Sequence, residues 1–201
     1  MKVRSVITIA LIAAIVGALA GLWVRGPGPI WRSELGQRLL QGWLAREAPP
    51  GVVVAKLGQP VPALRLAALD GGMRRIPEDF AGRPILINLW ASWCGPCIAE
   101  MPELERYSRT QGATGVQVIG IALDDATSVH DFLARVRVRY PIFLDTPGPA
   151  DAGVRLGNVQ GVLPYSLLID ANGRVLKQRI GPFAPGELDS FAAEAGLIRR
   201  P

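Results

Sequence analysis

Cys94 and Cys97 are the only cysteines in a chain of 201 residues, and they stand three positions apart in Trp93-Cys94-Gly95-Pro96-Cys97. Nothing in the chain can pair with either except the other. Several chemistries use two such thiols. A structural zinc site needs about four ligands, and the chain adds only His130, some way off and without a second cysteine pair. Covalent haem attachment needs histidine directly after the second cysteine, where Ile98 stands. An inert structural disulfide between cysteines this close would close a very small loop and restrain little of the unfolded chain. Reversible dithiol–disulfide exchange is the reading left with a physical motive for the spacing.

The flanking residues supply the positioning. Ile85-Leu86-Ile87-Asn88-Leu89-Trp90 reads as a strand, and Ile98, Met101, Leu104 and Tyr107 or Ser108 recur at helical spacing after it. The cysteines therefore sit where a strand turns into a helix. Cys94 falls at the helix N-terminus, where unpaired backbone N–H groups and the positive end of the dipole favour a thiolate. In Cys-X-X-Cys sites the first thiol's pKa drops from roughly 8.5 to about 3.5–7.5. Cys94 is the expected nucleophile. Gly95 and Pro96 complete the dipeptide between the thiols, and Pro96 in the first turn gives up an N–H that has no helical partner anyway. Cys97 returns to the same face, placed to resolve a mixed disulfide.

The segment Trp90-Ala91-Ser92-Trp93-Cys94-Gly95-Pro96-Cys97-Ile98-Ala99-Glu100-Met101-Pro102 resembles the active-site segment of the thioredoxin superfamily, and more closely that of membrane-anchored TlpA/ResA/CcmG-like thiol-disulfide reductases. The resemblance runs from about Lys56 to the C-terminus. It implies a thioredoxin-like mixed sheet flanked by helices, with an N-terminal β-hairpin and an inserted helix-strand unit. Pro164 matches the family's cis-proline, which lies beside the disulfide and leaves backbone groups for an extended substrate segment. Tyr165 departs from the smaller residue usual after that proline. Trp93 is implied to stand partly exposed beside the disulfide, whereas Trp90 at the strand end reads as a packing residue. Pro102 aligns with the kink proline of the active-site helix. Asn88 takes the strand position where plain thioredoxin carries a buried acid, so Glu100, three residues past Cys97, is the nearest candidate to accept the Cys97 proton. The alternative for Glu100 is a solvated carboxylate. ResA-like members place a glutamate between the cysteines, where this chain has Gly95. The resemblance further implies a disulfide-containing protein substrate, apocytochrome c or a copper-site assembly protein, and a CcdA/DsbD-like membrane thiol donor. No cofactor and no metal are expected.

Two rivals come from other classes. A thiol peroxidase on the same fold would need a peroxidatic cysteine in a different loop, and there is no third cysteine. A copper chaperone would use both thiols as soft ligands, but the sequence offers them no nearby methionine or histidine.

At this length the chain can bury one good core and carry an appendage. The formal net charge is +5, with arginines scattered along the chain. The densest group, Arg135, Arg137 and Arg139, alternates with Val136 and Val138 and reads as solvated surface; no nucleic-acid motif accompanies it.

Residues 1–4 form a short basic cytoplasmic start, and Ser5 to Val24 holds no charge over about 20 residues, enough to span a bilayer. Lys2 and Arg4 on one side and Arg25 on the other orient the N-terminus to the cytoplasm. Residues 5–24 read as a single-pass transmembrane signal-anchor in the inner membrane, with the catalytic domain on the periplasmic side; Ala18-Leu19-Ala20 offers the competing reading of a cleavage site. Residues 25–55 form a linker, with Leu35, Leu39, Leu40 and Trp43 at helical spacing either as an amphipathic membrane-surface helix or as a spacer. Residues 56–201 form the thioredoxin-like domain. In it Asp70-Gly71-Gly72 marks a hairpin, Val116 to Leu123 a buried strand, and Ser128 with Asp131 a capping box. Pro141 to Leu144 reads as a strand, Pro147 to Gly161 as a loop with one helical turn, Asn172-Gly173 as a type I′ turn between two strands, and Glu187 to Ala195 as a closing helix. The pattern is the α/β layout.

Overall fold

The computed structural model describes residues 48–197. The basic start, the apolar stretch 5–24 and most of the linker lie outside the described residues. Among the described residues no helix is long and apolar enough to cross a membrane.

Seven strands form one mixed sheet in the order β2-β1-β5-β4-β3-β6-β7. Its centre is β3 (Ile85–Trp90), in which all six residues are buried. A strand apolar on both faces can only lie between two covering layers, and each large apolar side chain fully buried there contributes roughly 1.5–3 kcal/mol. β4 (Gln117–Leu123) pairs with β3 in parallel, placing Asn88 beside Gly120 and Trp90 beside Ala122. β5 (Ile142–Asp145) continues in parallel beyond β4, while β6 (Tyr165–Ile169) and β7 (Val175–Ile180) extend the other side antiparallel. β1 (Leu64–Ala68) and β2 (Met73–Ile76) form the expected hairpin, and β1 joins the sheet along β5.

Parallel neighbours require crossovers, and the helices are these. α1 (Gly95–Gln111) links β3 to β4, and α2 (Ala126–Leu133) links β4 to β5 as the inserted helix-strand unit. α3 (Ala152–Arg155) is the single turn expected in the long loop, and α4 (Glu187–Glu194) closes the chain. Side chains of α1, α2 and α4 pack with Leu86, Trp90, Val118 and Leu168 in one core cluster. The packing is close around Trp90, whose ring lies 5.5 Å from that of Phe132. A Cβ on Gly120 would stand 2.7 Å from Ile142 Cδ1 and 3.1 Å from Trp90 Nε1, so only glycine lets the indole lie across β4.

Two local expectations are corrected. α2 is capped by Asp125, whose carboxylate accepts the Ser128 N–H at 2.9 Å; Ser128 is inside the helix and forms no capping box with Asp131. Asp125 lies exposed at the strand end and reaches the third N–H of the helix, as a cap must. The β6–β7 turn is not type I′, which needs positive φ at both central residues, because among the described residues none other than glycine has positive φ. Instead Gly173 (φ 76°) donates to the Asp170 carbonyl, and the Asp170 carboxylate accepts from the Asn172 and Arg174 N–H groups. His130 and Arg135, Arg137 and Arg139 are exposed.

Candidate active site

From Trp90, the last residue of β3, the chain needs only Ala91 to Cys94 to reach α1. That loop closes on itself, with the Cys94 N–H donating to the Ala91 carbonyl at 3.1 Å. It is also tied to the neighbouring strand: Ser92 donates from its backbone N–H (2.9 Å) and its hydroxyl (2.6 Å) to one oxygen of Asp124, just past the end of β4. Hydrogen bonds to a charged acceptor contribute about 1.5–3 kcal/mol each, so a carboxylate from β4 sets where the cysteine loop stands. Asp124→Ala is expected to lower unfolding free energy by about 1–3 kcal/mol in denaturant melts and to speed amide exchange at Ser92 well beyond that of β3. Unchanged exchange at Ser92 would show that something else anchors the loop.

Cys94 is the N-cap residue of α1, with extended backbone (φ −85°, ψ 95°), and its sulfur accepts the Cys97 N–H at 3.3 Å. The structure closes a disulfide between Cys94 and Cys97, whose Cα atoms are 5.3 Å apart. When the bond opens, the sulfur left on Cys94 already faces a backbone donor and the positive end of a long helix. Pro96 lies in the first turn, as expected, and Gly95 is exposed beside it. Cys97 is 1% exposed, whereas Trp93 is 70% exposed and Trp90 is fully buried. The two indoles thus part company at the site.

The Leu163–Pro164 peptide is cis. Pairing of Leu89 with Tyr165 sets Pro164 level with Trp90, at the end of the sheet from which the cysteine loop leaves. Asn158 holds the loop before it, donating to the Val162 carbonyl (2.9 Å) and accepting the Val162 N–H (3.1 Å). Tyr165 does not intrude on the surface: it is 1% exposed, and its hydroxyl donates to the Leu156 carbonyl at 3.2 Å. Pro102 lies inside α1, which runs through it.

Glu100 overturns the solvated alternative. It is completely buried, one carboxylate oxygen accepting from Asn88 Nδ2 (2.7 Å) and the other from the Phe183 N–H (2.9 Å). Burial pushes its pKa up to about 7 from the ordinary 4.5, against the pull of those two donors and of the Arg179 charge. A carboxyl poised near neutrality takes and returns a proton at physiological pH.

Sequence reasoning missed Asp124, Asn158, Ser166 and Arg179. Ser166 accepts from Asn88 Nδ2 at 3.1 Å, and Arg179 stands next to Ser166 across β6 and β7. Asn88, Ser166 and Arg179 thus form a polar row across three strands on the face toward α1. A lone Asn88 in β3 and a lone Ser166 in β6 were the available signal, but Arg179 stands in the polar run Lys177-Gln178-Arg179, and strand register is needed to align the three.

A sulfur–sulfur bond that opens at a helix mouth, on a mixed sheet of this topology, is the working part of a thiol-disulfide oxidoreductase with a thioredoxin-like fold, and comparison with known proteins puts the chain in that class. It belongs to the Redoxin family, whose model matches residues 56–195. The thiol:disulfide interchange protein DsbE of Escherichia coli K12 is 34% identical over 149 residues, covering 71% of this chain and 77% of the relative. The thiol-disulfide oxidoreductase ResA of Bacillus cereus is 26% identical over 165 residues, covering 81% and 88%. Among solved structures, a Chlorobium tepidum protein described as thiol:disulfide interchange protein DsbE superposes with a TM-score of 0.61 at 31% identity, covering 70% of this chain and 98% of its own.

Proposed function

We propose that this thiol-disulfide oxidoreductase works as a reductant of protein disulfides outside the cytoplasm, tethered to the inner membrane by residues 5–24. The observation that carries the reading is the Cys94 sulfur at the N-cap of α1, accepting the Cys97 N–H, with Cys97 buried behind it. In the dithiol form the Cys94 thiolate attacks a substrate disulfide; one new S–S bond forms, the substrate's breaks, and one substrate sulfur leaves as thiolate. Glu100 then accepts the Cys97 proton. The Cys97 thiolate attacks the Cys94 sulfur, the mixed disulfide breaks, and the second substrate sulfur leaves. Two electrons have passed to the substrate, and the enzyme holds the disulfide seen in the structure.

Exposed Trp93, next to Cys94, and the Pro164 loop, level with Trp90, would receive an extended polypeptide by backbone pairing. Apocytochrome c or a copper-site assembly protein is the substrate, and a CcdA/DsbD-like membrane protein is the thiol donor that restores the dithiol. The Gly-Pro dipeptide is that of thioredoxin, whose potential is about −270 mV. Cys97→Ala in the full chain tests the whole reading. It should accumulate mixed disulfides on Cys94, recovered from alkali-washed membranes, with partners named by mass spectrometry. A potential near about −120 mV, like that of DsbA, would reverse the direction, and adducts found only in the soluble fraction would remove the tether.

A further inference from the structure

The donor to the second oxygen of Glu100 is a backbone N–H, that of Phe183, in the turn Gly181-Pro182-Phe183-Ala184 between β7 and α4. A backbone donor can be aimed only by fixing its turn, and two charged side chains do so here. Arg179 Nη2 donates to the Pro182 carbonyl at 3.0 Å, and its guanidinium lies 4.6 Å from the centre of the Phe183 ring. Glu187 accepts the Ala184 N–H at 2.8 Å and pairs with Arg179 Nη1 at 3.0 Å. The turn's first residue, Gly181, donates to the Pro164 carbonyl at 2.9 Å, so the same turn abuts the cis-proline.

Arg179 is 4% exposed, and its Nε has no partner among the described residues. Burying a guanidinium in this way costs stability that an apolar side chain would not. An apolar residue, however, would hold neither the Pro182 carbonyl nor Glu187.

We propose that Arg179 and Glu187 are positioning residues for Glu100, clamping the turn from both ends so that the Phe183 N–H stays on its carboxylate. The consequence for turnover rests on Glu100 being the acceptor of the Cys97 proton. The clamp also bears charge. The groups that face Glu100 are the Asn88 amide from β3, Arg179 from β7, the Phe183 N–H from the turn, Glu187 from α4, and Tyr140 from the segment before β5, with Cys97 and Glu103 its neighbours on α1. Arg179 draws the Glu100 pKa down, and Glu187 raises it.

That opposition supplies the test. The full chain in mild detergent, with the disulfide closed and 13C at the glutamate carboxyls, is titrated by NMR; Glu100 is assigned by the signal lost in Glu100→Gln. Wild type should titrate near about 7. Arg179→Gln should move the midpoint up by about one pH unit, and Glu187→Ala should also move it up, because losing the Phe183 N–H outweighs losing the Glu187 charge. Arg179→Lys should restore part of the difference. Both variants release the same clamp and so should shift in the same direction; opposite shifts, the signature of the two charges acting alone on an unmoved turn, or no shift in either, overturn the proposal. Glu187 is partly exposed, so its variant keeps the test available even if Arg179→Gln does not fold. The pH dependence of mixed-disulfide resolution is measured in the same variants. If it stays fixed while both Glu100 midpoints rise, the clamp stands and the proton-acceptor role of Glu100 falls.

Discussion

Cys94→Ser is expected to abolish disulfide reduction, with a fall of at least about a thousandfold, as when the nucleophile of a covalent mechanism is removed. A serine hydroxyl neither ionises near neutrality nor forms a bond that thiol exchange can break. Cys97 is a poor substitute, because it is the third residue of α1 whereas the Cys94 sulfur caps the helix N-terminus; exposure does not separate the two, at 1% and 4%. The fold should survive. Serine is among the best N-cap residues, and its oxygen can accept the Cys97 N–H that the Cys94 sulfur accepts now. The disulfide that is lost closes a very small loop and so constrains the unfolded chain little. The variant should therefore melt close to reduced wild type while losing turnover with an insulin-type or physiological substrate. Reduction at the wild-type rate would place the nucleophile elsewhere.

This contrast between local chemistry and long-range support also marks how far the sequence could be read. The strand, the cysteine turn and α1 were legible because one apolar run, one Cys-X-X-Cys and one helical repeat are contiguous. Their positions at the centre of the sheet follow from hydrophobicity alone. Glu100 could be placed on the right helical face, but its burial could not be seen, because burial depends on Asn88 and on a turn more than eighty residues later. Arg179 looked like one more arginine in a scattered set until β6–β7 pairing brought it next to Ser166. Asp124 and Asp125 are adjacent and do different work, one anchoring Ser92 and the other capping α2. In a polar run such as Asp124-Asp125-Ala126-Thr127-Ser128, local pattern offers several residues able to cap and does not choose among them. The Asn172-Gly173 turn went astray for a related reason: the Asp170 carboxylate captured two backbone N–H groups and stabilised a different geometry.

Glu100→Gln is expected to flatten the dependence of stability on pH in the oxidised protein. Glu100 has an ordinary value of 4.5 in the unfolded chain and about 7 in the fold, so the folded state binds its proton more tightly. A folded-state value above the unfolded one means a contribution present in full below about 4.5 and lost as pH rises through about 7. The difference amounts to roughly 3 kcal/mol at about 1.4 kcal/mol per pKa unit. With the disulfide closed, neither cysteine titrates in that window. A glutamine has the same shape and no charge. Its oxygen can keep the Phe183 N–H, and its NH2 can donate to Asn88 Oδ1, which has no partner among the described residues, once the Asn88 amide turns over. Denaturant melts from pH 5 to pH 8 should thus show wild type losing up to about 3 kcal/mol from this group while the variant loses little. Parallel curves would mean that the carboxylate is solvated after all. Kinetics should move the other way: without an acceptor for the Cys97 proton, resolution of the mixed disulfide should slow by about a hundredfold or more at pH 7, while the first attack by Cys94 keeps its rate. One substitution would then stabilise the fold at alkaline pH and stall the second half of the reaction, a pairing expected of a carboxyl buried for its chemistry at a cost to the fold.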